Sequence, residues 1–176
     1  LGQPAGRYLR FGVREHGMAA ILNGLAAYGA IIPFGATFLN FISYALGAVR
    51  LGALSKEHVI YIMTHDSIGQ GEDAPTHQPV EQVANLRGTP NMAVWRPADS
   101  VETAVAWKAA LMRRDGPTSL ILSRQNLPHL ARTDAQLADI AKGAYVLLDC
   151  NGAPEALVIA TGSEVSIALQ AVKELQ

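Results

Sequence analysis

The sequence predicts an α/β fold, a mostly parallel sheet covered by helices, and three observations carry that expectation. Short apolar runs with β-branched residues alternate with helix-period stretches along the whole chain, the pattern of strands and their covering helices. Nearly every residue in those runs is apolar, as in strands buried on both faces. At 176 residues the chain has room for one domain with a real core, or for one domain and the start of a second.

In chain order, strands are expected at 8–13, 30–34, 58–64, 92–96, 118–123, 144–150 and 156–160. Helices are expected between them at 15–27, 37–54, 80–86, 101–114, 135–141 and 164–175. The first helix places Met18, Ile21, Leu22 and Leu25 at helical spacing. Two others carry a start signal, Asp99 with Glu102 and Thr133 with Gln136, in which the cap side chain serves an amide three residues on. Composition shifts at 126–133, where polar residues and Pro128 follow a strand, and this stretch reads as a linker. The expected division is therefore a domain at 1–125, a linker at 126–133 and, at 134–176, an incomplete second α/β unit too short to close a sheet.

Composition narrows the function. A hydrophobic fraction of 49% against 16% charged residues describes a buried core, not a disordered chain. A formal net charge of −1 offers no general attraction to nucleic acid or to an anionic membrane. The apolar stretch 31–54 is interrupted by Pro33, Gly35, Asn40 and Arg50, so no membrane span is expected. The single Cys150, in AYVLLDC, reads as a core thiol in a reducing compartment, the cytoplasm. A start at Leu1 with no Met suggests a piece of a longer chain.

Four segments hold candidate chemistry. THDSIGQGEDAPTHQP, at 64–79, follows a strand and precedes a helix, the position where parallel sheets bind ligands. It gathers His65, Asp66, Glu72, Asp73 and His77 around Gly69 and Gly71, a set suited to a solvated loop, a metal site, or sugar binding and proton transfer. Glu15, in GVREHGM, sits at a strand-to-helix turn beside core, where the helix N-terminus favours its charge and burial opposes it. An ion pair with Arg14 or His16 is the plainer use of that carboxylate. Phe38, Phe41 and Tyr44 recur at i, i+3 and i+6 on one side of the helix expected at 37–54, as core or as a stacking surface for a heteroaromatic ring. Arg124, after the strand at 118–123, suits either a phosphate or a surface ion pair.

Taken in order, GVREHGM, PFGATFLNFISYALGAVR, THDSIGQGEDAPTHQPVEQ, TPNMAVWRPAD and GPTSLILSRQN resemble the transketolase family over roughly residues 7–125, with a looser match through IATGSEVSIAL. The resemblance implies a thiamine-diphosphate-binding fold, with the pyrimidine-binding domain followed by the start of the carboxyl-terminal domain. It implies that Glu15 hydrogen-bonds the aminopyrimidine ring and drives the imino tautomer that generates the thiazolium ylid. Phe38, Phe41 and Tyr44 would then wall the pyrimidine, and those apolar walls would strengthen the Glu15 bond. His65, Asp73, His77 and Arg124 match substrate-channel positions: His77 near the reacting carbonyl, Asp73 at a hydroxyl, His65 and Arg124 at the sugar phosphate.

The implied reaction moves a two-carbon ketol unit from a ketose phosphate to an aldose phosphate in the pentose phosphate pathway. No Gly-Asp-Gly to Asn stretch for the diphosphate is present. The family places that stretch, with its Mg2+ or Ca2+, in an amino-terminal domain of the opposite subunit. The resemblance thus implies a homodimer with the site at the subunit interface, no metal ligand in this chain, and a half-site that is inactive by itself. Ala74 stands where the family commonly has Gly, and before Pro75 a small effect is expected. Dihydroxyacetone synthase, deoxyxylulose-phosphate synthase and a non-catalytic partner-binding fragment are the alternatives.

Overall fold

The computed structural model describes residues 6–73 and 75–175; the expectation about Ala74 lies outside them. Its framework is α1 (Glu15–Tyr28), β1 (Phe34–Phe38), α2 (Ile42–Leu54), β2 (Ile60–Thr64), α3 (Gln82–Gly88), β3 (Ala93–Trp95), α4 (Ser100–Met112), β4 (Thr118–Leu122), α5 (Asp134–Asp139) and α6 (Glu164–Leu175). The sheet has the order β1-β2-β4-β3, and every neighbouring pair is parallel. Phe34 is in register with Ile60, Ile60 with Thr118, and Ala93 with Thr118. All four carboxyl ends consequently lie on one edge, and the segments that follow them meet there.

Side-chain alternation along the strands builds a core on each face. On one face Tyr61, Met63 and Ile121 pack with Met18 and Leu22 of α1, Ala45 and Val49 of α2, and Leu86 of α3. On the other, Ile60 and Leu120 pack with Ala106 and Ala110 of α4. Gly35 lets α1 approach β1 closely: a Cβ there would lie 2.5 Å from Leu22 Cδ1. Asn23 ties α1 to the layer beneath, donating to the Ala48 carbonyl at 2.8 Å and accepting from Tyr61 Oη at 3.1 Å. Gly29, at φ 81°, ends α1 in the left-handed cap that glycine adopts without a Cβ clash.

Both expected helix starts form. Asp99 accepts from the Glu102 amide at 3.0 Å, and Thr133 with Gln136 makes a reciprocal capping box.

Several expectations need correction. The strand placed at 30–34 runs instead from Phe34 to Phe38, because Pro33 has no amide for a ladder and serves only as an acceptor, from Ile60 N at 3.1 Å. The helix placed at 37–54 begins only at Ile42, after a 3-10 turn at Leu39–Phe41, so Phe38 belongs to a strand and not to that helix. Residues 8–13, 144–150 and 156–160 form no strand. Val13, Leu157 and Ile159 are exposed; an apolar run becomes a strand only where a neighbouring strand accepts its backbone hydrogen bonds, and among the described residues no strand lies beside these. Cys150, read as a core thiol, is exposed for the same reason.

Among the described residues no helix is long and apolar enough to cross a membrane.

Candidate active site at the carboxyl edge of the sheet

Two expected features, the ring stripe and the histidine loop, meet at the carboxyl ends of β1 and β2. Phe38, the last residue of β1, stacks on Phe41 with ring centroids 6.0 Å apart and planes 9° from parallel. Phe41 in turn stacks on Tyr44, also at 6.0 Å. His65, directly after β2, lies 3.9 Å from the Phe38 ring. His77 meets Phe41 edge-on at 4.9 Å. The change from strand to 3-10 turn keeps the three rings on one side although they leave a single helix. Tyr44 remains 67% exposed, so the stack ends in an open aromatic face.

The loop between β2 and α3 is held from within. Asn40 donates its side-chain amide to the Thr76 carbonyl, and Thr76 Oγ1 pairs with His77 Nδ1 at 3.0 Å. With its nitrogen turned toward the His77 carbonyl, the buried Gln70 amide donates there at 2.7 Å and accepts from the Gln78 amide at 3.3 Å. Gly71 has φ 91°, and a Cβ on it would sit 3.3 Å from Arg124 Nη1. A side chain at position 71 would therefore be strained by its backbone and crowded by the guanidinium.

Arg124, exposed beside this loop, makes no hydrogen bond or ion pair among the described residues and is open to an anion. Asp73 is exposed on the same loop. Glu15, half-buried as the first residue of α1, likewise has no hydrogen bond or ion pair among the described residues. Arg14 instead bonds the Phe11 carbonyl at 3.2 Å. Among the described residues no hydrogen bond joins Glu15 to the stack, but His16 lies against Gly47 of α2, 3.5 Å from where a Cβ would stand. That contact sets the first turn of α1 beside the turn of α2 that follows Tyr44.

An open aromatic face, an unpaired carboxylate at a neighbouring helix N-terminus and two imidazoles suit a flat heteroaromatic ring with polar edges and a hydroxylated substrate. The donor set thus fits the pyrimidine side of thiamine diphosphate. Among the described residues, no three His, Cys, Asp or Glu side chains gather as metal ligands.

Behind the loop stands a polar cluster that sequence reading did not assemble. Asp66 is buried, and its Oδ2 accepts from Arg96 Nη2 at 2.8 Å, Arg96 Nε at 3.2 Å and Ser163 Oγ at 2.9 Å. Arg96, at the carboxyl end of β3, also donates to the Thr161 carbonyl at 3.2 Å and pairs with Glu164. Burial works against the charge on both Arg96 and Glu164, but their bond overcomes it and moves the Arg96 pKa up and the Glu164 pKa down from ordinary values. A second cluster fastens the 126–133 stretch. Arg132, 1% exposed in its side chain, reaches Asp99 Oδ2 at 2.7 Å, Glu102 Oε1 at 3.0 Å and Tyr145 Oη at 2.6 Å. Arg96 is visible in the sequence as WRPAD, yet its partners lie 30 and 67 positions away.

Residues 2–129 match the family model described as the transketolase pyrimidine binding domain. The chain is 61% identical over 171 residues to transketolase 1 of Aliivibrio fischeri and 60% identical to transketolase 1 of Escherichia coli, covering 97% of this chain and 26% of each relative. The transketolase of Pichia stipitis in complex with sedoheptulose 7-phosphate superposes with a TM-score of 0.91 at 53% identity, over 97% of this chain and 25% of that one. The chain thus spans about a quarter of the length of the curated relatives it matches. Aromatic stack, histidine loop and parallel sheet accordingly stand in a chain that belongs to the transketolase family and carries its pyrimidine-binding domain.

Proposed function

We propose that this chain supplies the pyrimidine-side half of a transketolase active site, transferring a two-carbon ketol unit from a ketose phosphate to an aldose phosphate in the pentose phosphate pathway. The observation that carries the reading is the continuous face Tyr44–Phe41–Phe38–His65, joined by His77 and set at the carboxyl ends of β1 and β2. Thiamine diphosphate, when bound, supplies the carbon nucleophile that carries the ketol unit.

Phe38, Phe41 and Tyr44 wall the pyrimidine and exclude water from it. Glu15 holds a proton at a ring nitrogen; with no hydrogen bond or ion pair among the described residues, it is available for that bond. His77 bonds oxygens at the reacting carbonyl, where an imidazole both donates and accepts near neutral pH. Asp73 binds a substrate hydroxyl, and His65 with Arg124 holds the sugar phosphate. The diphosphate and its Mg2+ or Ca2+ are held by an amino-terminal domain outside this chain, across the interface of a cytoplasmic homodimer. Residues 1–125 form the pyrimidine-binding domain, 126–133 a linker, and 134–176 the start of the carboxyl-terminal domain.

The test is a chimera in which this chain replaces its counterpart in the Escherichia coli transketolase. The chimera is expected to transfer ketol units, and Glu15→Ala to lower kcat by about a hundredfold or more. In titration calorimetry, thiamine diphosphate with magnesium should bind this chain only when the separately produced amino-terminal domain is added. A folded, dimeric chimera without turnover refutes the assignment and leaves a non-catalytic, partner-binding role.

A further inference from the structure

His65 is held in a conformation its own chemistry does not favour. Its φ of 63° lies in the left-handed region, which is strained for a side-chain-bearing residue and persists only where neighbours enforce it. On one side the constraint is plain, because Thr64 is locked in the sheet between Phe38 and Leu122. On the other side the constraint is Asp66. A side chain that is 2% exposed and gripped by a guanidinium and a hydroxyl fixes the backbone that follows His65.

The grip comes from far away in sequence. Ser163 is 97 positions beyond Asp66, and the turn at 161–164 closes over Arg96. Gly162, at φ 58°, allows this, since a Cβ there would lie 2.7 Å from Arg96 Cγ. The left-handed turn at His65 is what places its imidazole 3.9 Å from the Phe38 ring. With Asp66 released, residue 65 is free to return to extended backbone, and its Cβ then points away from Phe38.

We propose that Asp66 is a positioning residue for substrate binding, acting through His65, and that Arg96 and the 161–164 turn belong to the same device. The inference rests on the reading of His65 as a sugar-phosphate ligand. It makes the segment after the linker, beyond the matched pyrimidine-binding domain, part of the machinery that shapes the substrate channel.

The test is a double-mutant cycle in the chimera described above, measuring KM for the ketose phosphate and kcat. Asp66→Asn should raise KM about tenfold with kcat changed less than about twofold, and should change KM less than about twofold when His65→Ala is already present. Ser163→Ala, which removes one donor and keeps the ion pair, should raise KM about threefold and lose that effect in the same background. It decides the question if Asp66→Asn does not fold. An independent signature comes from the histidine ring protons of this chain, assigned by His65→Ala. Phe38 should shift the His65 protons upfield, and Asp66→Asn should abolish that shift.

Equal effects of Asp66→Asn with and without His65, or an unchanged ring-proton shift, overturn the inference. A chimera with no turnover whose His65 shift still depends on Asp66 refutes the functional assignment and leaves the positioning intact. An unchanged KM in His65→Ala alone removes His65 as a ligand, and the inference with it.

Discussion

Replacing Arg132 by Ala should be among the most damaging changes outside the histidine loop that follows β2. The guanidinium is 1% exposed and donates four hydrogen bonds, to Asp99, Glu102, Tyr145 and the Leu130 carbonyl. Truncation leaves the 1% exposed carboxylate of Asp99 with only the exposed His129 imidazole, 3.7 Å away, and the 16% exposed carboxylate of Glu102 with no cation among the described residues. Breaking a buried ion pair from one side costs about 3–5 kcal/mol, because the remaining charge keeps its desolvation penalty without a partner. The loss should appear in urea unfolding followed by Trp95 and Trp107, and as faster exchange of the Glu102 and Leu130 amides that donate to Asp99.

The pH dependence follows from Asp99. Burial pushes its carboxyl up, but the Arg132 bond and the Glu102 and Leu130 amides outweigh burial and hold its pKa below the ordinary value. A carboxylate depressed in the folded state contributes stability that is present above its unfolded pKa of about 3.9 and is lost as pH falls through the folded value. Without Arg132 the same buried carboxyl titrates higher. The gap between the two proteins should therefore narrow as pH falls from about 7 to about 3. The combination Asp99→Asn, Glu102→Gln and Arg132→Met, which removes the charges together, should lose less than Arg132→Ala alone. A loss under about 1 kcal/mol at neutral pH, or one equal at both ends of that range, refutes the reasoning.

Two further outcomes follow from the core. Gly35→Ala drives a methyl to within 2.5 Å of Leu22 Cδ1 and 3.1 Å of Met18 Sδ, so urea unfolding should show a loss of about 1–3 kcal/mol from overpacking. Burial raises the Tyr61 pKa above its ordinary value, so its stabilisation is complete below about pH 10 and falls as the pH rises beyond that. Tyr61→Phe should cost about 1 kcal/mol at neutral pH, through the lost bond to Asn23, and should flatten the alkaline decline in melting temperature.

The stretches 58–64, 92–96 and 118–123 all contain observed strands, because their apolar runs are flanked by helices that supply two buried faces. By composition the runs at 144–150 and 156–160 look the same, yet they form no strand; whether an apolar run becomes a strand depends on a neighbour that local sequence does not name. The candidate site divides in the same way. Phe38, Phe41, Tyr44, His65 and His77 are legible one by one, and each has an ordinary use as core or solvated loop. The register of β1 against β2, Phe38 opposite Thr64, together with the left-handed backbone of His65, sets the next residue's imidazole on the ring stack.

The sequence by itself determined the α/β class, the helix starts at Asp99 and Thr133, the family, and the place of the histidine loop after a strand. These rest on periodicity, capping and motif, which act over a few residues or survive as whole segments. The tertiary structure alone decided that Phe38 ends a strand, that Cys150 faces solvent, and that Asp66 is held by Arg96 and Ser163 while Arg132 is held by Asp99, Glu102 and Tyr145. Those outcomes depend on contacts between residues tens of positions apart. Their energies come from burial and pairing in three dimensions, and no local pattern in the chain encodes which partner will arrive.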